Sequence, residues 1–125
     1  MVISEYESLV TRITSCVQCD LCKTRTNAVP GEGSLDSKIM FVGEAPGARE
    51  DEKGLPFVGA AGNVLSEMLQ LIGLNRQQVY IANIIKCRPP NNRDPSPFEI
   101  EQCWKYLDKQ IDIIDPELIV TLGRH

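Results

Sequence analysis

Three short apolar runs, each bounded by glycine, proline or charge, decide what this chain can become. They are KIMFV (Lys38–Val42), VYIANII (Val79–Ile85) and LIVTL (Leu118–Leu122). Runs of this length, rich in isoleucine and valine, suit buried strands. The stretches between them have helical periodicity instead. From Ala61 to Ile72, the residues Val64, Leu65, Met68, Leu69 and Ile72 fall on one face, and Gly73 supplies a stop. Pro97 opens a longer pattern in which Ile100, Cys103, Trp104, Leu107, Ile111 and Ile114 recur at helical spacing. A short helix is expected over Ser4–Cys16, carrying Leu9, Val10 and Ile13, followed by a turn-rich stretch over Val29–Asp36. The order strand–helix–strand–helix–strand predicts an α/β fold with a parallel sheet and right-handed crossovers. At 125 residues, one domain over 1–125 is the expectation.

Two loops interrupt this pattern, both rich in glycine, proline and charge. One runs from Glu44 to Gly59, the other through KCRPPNNRDPSP after Ile85. Each begins at the carboxyl end of a predicted strand, which is where open parallel sheets bind their ligands. The site is therefore expected there. The third strand is followed by three residues only, so the predicted sheet is thinly covered and LIVTL is a candidate aggregation edge. Truncation is the expectation on that ground.

Cysteine is the strongest compositional signal. There are five, with one histidine. The first ten residues, MVISEYESLV, have no basic segment of an export signal, and no apolar run is long enough to span a bilayer. A cytoplasmic protein is expected, and with it a metal site in preference to a disulfide framework. Cys16, Cys19 and Cys22 lie in a CxxCxxC run, with Cys87 in the second loop and Cys103 in the long helix. Spacing alone leaves zinc and iron–sulfur both open, and leaves Cys103 readable as a core residue. The net charge of −4 argues against a nucleic-acid partner, although binding depends on a local patch. Lys86, Arg88 and Arg93, and Lys23 with Arg25, are locally basic.

Three motifs together are more specific than the cysteines. They are VGEAPGAREDEKGLPFVGAAG (Val42–Gly62), VYIANIIKCRPPNNRDP (Val79–Pro95) and the early CxxCxL beginning at Cys16. From about Cys16 onward the chain resembles the family-four uracil-DNA glycosylases, the iron–sulfur type of bacteria and archaea. The resemblance implies a three-layer α/β/α fold with a central parallel sheet, its last strand and helix missing from this chain. It implies a four-iron, four-sulfur (4Fe-4S) cluster held by Cys16, Cys19, Cys87 and Cys103, with Cys22 spare and the cluster structural. The implied activity is hydrolysis of the N-glycosidic bond of uracil in DNA, the first step of base excision repair. The implied partner is uracil-containing DNA, with no membrane association and a monomeric protein.

That chemistry needs an extruded base, a pocket that reads its edge, stabilisation of a cationic sugar and an anionic leaving group, and a placed water. By the resemblance, Asn83 reads the uracil edge, Phe57 stacks on the ring, and Gly43 and Ala45 let the backbone approach closely. Without the family, Asn83 reads as a strand-end turn residue and Phe57 as core. Glu44, Glu50 and Asn92 match catalytic positions, with Glu50 near the ring and Asn92 tied to water placement. Residue types alone would make Glu50, Asp51 and Glu52 a solvated charge run, a description that suits Asp51 and Glu52 better than Glu44. Lys86, Arg88 and Arg93 are candidate phosphate contacts. The family's C-terminal histidine–proline motif and DNA-intruding loop have no counterpart here, and His125 matches a different segment. The alternative reading is a non-catalytic iron–sulfur fragment that binds single-stranded nucleic acid.

Overall fold

The computed structural model describes residues 2–17 and 20–122, with the side chains of residues 2, 20, 61 and 92 excepted. Four helices, α1 (Val2–Thr14), α2 (Ala48–Lys53), α3 (Ala60–Leu71) and α4 (Pro97–Ile114), accompany four strands. The strands are β1 (Glu32–Gly33), β2 (Ile39–Gly43), β3 (Tyr80–Asn83) and β4 (Leu118–Thr121). They form one sheet in the order β1-β3-β2-β4. The pairs β2–β3 and β2–β4 are parallel, as expected, but β1 joins β3 antiparallel. The sheet is therefore mixed, not purely parallel. The added strand lies in the stretch whose glycines had marked it only as turns.

Alternation along the central strands sorts the core into two layers. Met40, Val42, Tyr80 and Ala82 face α4, packing with Leu107 and Ile114. Phe41 and Ile81 face the other way, onto Leu65 and Leu69 of α3. Helix α1 packs against α4 through a third cluster built on Leu9, Ile13, Ile85 and Tyr106. The result is a three-layer α/β/α arrangement.

Helix α4 starts where sequence placed it, and its start has a mechanism. The Ser96 side chain accepts from the Glu99 backbone N–H, Glu99 reaches back to the Ser96 N–H, and Pro97 occupies the first turn. Its buried face is narrower than predicted: Cys103, Tyr106, Leu107, Gln110 and Ile114 point inward while Trp104 is 48% exposed. Helix α3 likewise buries Leu65 and Leu69 but leaves Val64, Met68 and Ile72 exposed. VYIANII also stops being a strand at Asn83. Past that point the Ile84 and Ile85 N–H groups donate to the carbonyls of Gly43 and Glu44, so the two loops leave the sheet side by side. Strand β4 pairs only with β2 among the described residues and exposes Leu118 and Ile119, in keeping with the edge foreseen for LIVTL. No helix among them is long and apolar enough to cross a membrane.

Candidate functional site

Strands β2 and β3 end in register, Gly43 opposite Asn83. Asn83 is 2% exposed, and its Oδ1 is a buried acceptor with no hydrogen-bond partner among the described residues. A native interior seldom tolerates such a group unless something supplies the missing donor. The Phe57 ring lies against the same spot. A Cβ built on Gly43 would collide with Asn83 Oδ1 and stand 2.5 Å from Phe57 Cζ. Only glycine lets backbone, amide and ring converge this closely.

Phe57 is held there in a strained conformation. Its φ is 51°, in the left-handed region that costs a residue with a side chain about 1–3 kcal/mol. Gly62 faces its carbonyl so closely that a Cβ would overlap the oxygen. Arg76 Nη1 donates to the Phe57 carbonyl at 2.8 Å and Nη2 to the Pro56 carbonyl at 2.7 Å. The same Nη2 donates to Glu32 Oε1 at 2.9 Å, so a half-buried ion pair orients the guanidinium. Neither Arg76 nor Glu32 was singled out from sequence. They lie far apart in the chain, and no local motif links them to Phe57.

The stretch after Gly43, expected to be all loop, contains α2. The Glu50 carboxylate accepts from the Gly47 N–H at 3.0 Å through Oε1, and from Val58 and Gly59 N–H at 3.0 and 2.9 Å through Oε2. It caps α2 and ties that helix to the segment carrying Phe57. A solvated charge run is thus the wrong description of this stretch. Asp51 corrects it further: it is 4% exposed and accepts from the Thr26 and Asn27 N–H groups at 2.9 and 3.1 Å. Glu52 alone of the three is exposed.

Glu44 and Ala45 line a cleft of about 270 Å³ with Pro46, Gly47, Arg93 and Asp94. Both loops thus contribute to one hollow, whose lining does not include Gly43, Phe57 or Asn83. Asn92 closes a single helical turn, Pro90–Asn92, in the second loop; its side chain lies outside the described ones. Arg93 pairs with Glu99 through two bonds of 2.8 and 2.7 Å, and the Arg93 hydrogen bond is the chief cause that holds the Glu99 carboxyl down at about 2.

Lys86 corrects the expected phosphate contacts. It is 1% exposed, and its Nζ donates to the Asn83 carbonyl at 2.7 Å and to Gln110 Oε1 at 2.6 Å. Burial lowers it to about 7. Gln110 donates in turn to Pro30 O and the Tyr80 hydroxyl. Lys86 is a strut beneath Asn83 and does not face a nucleic acid. Arg25 is also committed: its Nη1 lies 2.9 Å from Cys87 Sγ.

The described cysteines gather in one region. Cys87 and Cys103 are buried in the cluster with Leu9, Ile13 and Tyr106, and Cys16 packs against it. Burial pushes the Tyr106 hydroxyl up, reinforced by its hydrogen bond with Cys16 and by the nearby Cys103. Cys22 is close enough to Arg25 to act on its charge, as are Cys16 and Cys87. Among the described residues no three His, Cys, Asp or Glu side chains form a metal-holding group. Cys19, the remaining cysteine of the expected set, lies outside those residues, as does His125. Cys16, just past α1, Cys87 of the second loop and Cys103 of α4 thus bring soft sulfur donors into one largely apolar region.

A buried amide with an open acceptor, an aromatic ring and a glycine-lined approach at the ends of two parallel strands suit a flat polar ring. Residues 30–125 match the model of the uracil DNA glycosylase superfamily, and the chain belongs to that superfamily. Within it, the chain is 59% identical over 120 residues to the type-4 uracil-DNA glycosylase of Sulfurisphaera tokodaii, covering 95% of this chain and 54% of that protein. It is 59% identical over 118 residues to the type-4 uracil-DNA glycosylase of Archaeoglobus fulgidus, covering 94% of this chain and 59% of that protein. The type-5 uracil-DNA glycosylase of Thermus thermophilus is 31% identical over 111 residues, 77% of this chain and 50% of that protein. The chain thus spans about half the length of these curated relatives.

Proposed function

We propose that the protein to which this chain belongs is a uracil-DNA glycosylase of the type-4 kind, acting as a monomer in the cytoplasm on uracil-containing DNA. The observation that carries this reading is the partnerless, buried Asn83 Oδ1 beside Phe57 and Gly43. Uracil carries an N–H flanked by two carbonyls on its pairing edge. An amide can accept from that N–H and donate to a neighbouring carbonyl, which settles the orphan acceptor only when the base is bound. Phe57 stacks on the ring face, and the backbone around Gly43 and Ala45 comes close to the base and sugar. In the hydrolysis, the glycosidic bond electrons leave with uracil, water adds its oxygen to the sugar carbon, and the water's proton balances the leaving base. Glu44, at the head of the cleft, and Asn92 orient that water and offset the sugar's positive charge. Glu50 acts by holding α2 and the 57–59 segment in register.

Cys16, Cys19, Cys87 and Cys103 are the residues that would hold a 4Fe-4S cluster. Such a group would cross-link the segment just past α1, the second loop and α4, a structural role. Iron content and absorbance of anaerobically purified protein, compared with Cys87→Ser, test it. The activity is tested with a labelled single-stranded oligonucleotide holding one uracil, followed by alkali. Breakage that disappears in Asn83→Ala is the expected outcome for the complete protein. Unchanged excision by that variant would remove Asn83 from its role. Tight binding of the complete protein without breakage would favour the non-catalytic alternative.

A further inference from the structure

We infer that Arg76 is a positioning residue for the stacking ring: its guanidinium fork holds the Pro56 and Phe57 carbonyls so that Phe57 keeps a left-handed backbone and its ring stays against Gly43 and Asn83. The inference rests on the proposed role of Phe57 as the stacking platform. Phe57 gains nothing from its own backbone preference at φ 51°, so contacts must keep it there. Two groups do so. Gly62 leaves room for the Phe57 carbonyl, and Arg76 supplies two donors to consecutive carbonyls at 2.7 and 2.8 Å. A planar fork suits two adjacent acceptors, which a single lysine ammonium cannot reproduce. Glu32 fixes the plane of the fork through Nε and Nη2, at 3.3 and 2.9 Å. Glu32 belongs to β1, the antiparallel edge strand paired with β3. The edge strand thereby acts on the position of the ring through one side chain.

The test uses the whole chain and the variants Arg76→Lys, Arg76→Ala, Phe57→Leu and the double variants. The first measurement needs no ligand: the amide resonances of Gly43 and the Asn83 side chain in a nitrogen–proton spectrum feel the ring current of Phe57. Arg76→Lys keeps a charge opposite Glu32 and is expected to move both resonances in the direction that Phe57→Leu does. The second is affinity for a single-stranded oligonucleotide with one uracil, against the same strand with cytosine. Each single variant is expected to lose roughly tenfold or more of the uracil affinity, the scale of losing one aromatic–base stack. Arg76→Lys in the Phe57→Leu background is expected to lose no more than Phe57→Leu alone, because both act through one ring. Additive losses with unmoved resonances overturn the inference and leave Arg76 a plain stability residue. If the unaltered chain shows no preference for uracil, the reading of the pocket fails, while the resonances still decide whether Arg76 places the ring.

Discussion

Asn83 offers a sharp test, because its role in binding predicts a gain in stability when the residue is lost. A buried acceptor left unpartnered costs about 1–3 kcal/mol. In Asn83→Leu that acceptor is removed and a side chain with the same number of heavy atoms and the same branch at Cγ, though bulkier, replaces it. The branch at Cγ repacks against Phe57 and the β2 end at a cost below about 1.5 kcal/mol. The net expectation is a stabilisation of about 1 kcal/mol in the unliganded protein. With a urea dependence of about 1–2 kcal/mol per molar for a chain of this size, the unfolding midpoint rises by about 0.5–1 M. Binding moves the other way. The uracil-over-cytosine preference of an oligonucleotide drops by a factor of about 5 to 150, the worth of one two-point edge contact. Denaturation followed by circular dichroism and anisotropy titration measure the two quantities. A lowered midpoint together with an intact preference for uracil would refute both the cost assigned to the orphan acceptor and the assignment of Asn83 as the reader of the base.

Three further expectations follow from the same geometry. Gly43→Ala places a methyl group against Asn83 Oδ1 and the Phe57 ring, so the ring must move; overpacking of about 1–3 kcal/mol and a loss of uracil affinity are expected, read by melting and anisotropy. Glu50→Gln turns one anionic acceptor of three N–H groups into an amide with only one acceptor, at a cost of about 2–3 kcal/mol. Faster hydrogen exchange at Gly47, Val58 and Gly59 reports it, and unchanged exchange would mean the clamp is not what orders this loop. Glu99, held at about 2 against an ordinary 4.5 chiefly by Arg93, favours the folded state above its ordinary value and loses that contribution as pH falls from 4.5 toward 2. The stability gap between the parent and Glu99→Gln should therefore be widest near neutrality and narrow over that window; a gap independent of pH would show that ionisation is not its source.

Much of the frame could be read locally. The strands β2, β3 and β4 and the helices α3 and α4 follow from runs and periods a few residues long, and the start of α4 from Ser96, Pro97 and Glu99. The misreadings have a common origin. Asp51 and Lys86 carry charges that a local reading assigns to solvent, yet they have partners 24 residues away, Asn27 for Asp51 and Gln110 for Lys86. Val64, Met68 and Trp104 are apolar and at helical spacing, yet the sheet is too narrow to cover a stripe that wide.

What the sequence determined by itself was the alternation of strands and helices, and the two loops rich in glycine and proline at the carboxyl ends of the first two strands. Those depend on residue type and short spacing, which survive in a linear chain. The tertiary structure alone decided which charged groups are buried, that a two-residue antiparallel strand closes the sheet beside β3, and that Arg76 and Glu32 stand behind Phe57. Each of these depends on which backbone N–H and C=O groups are left over once the sheet has formed, and that account closes only when distant segments meet.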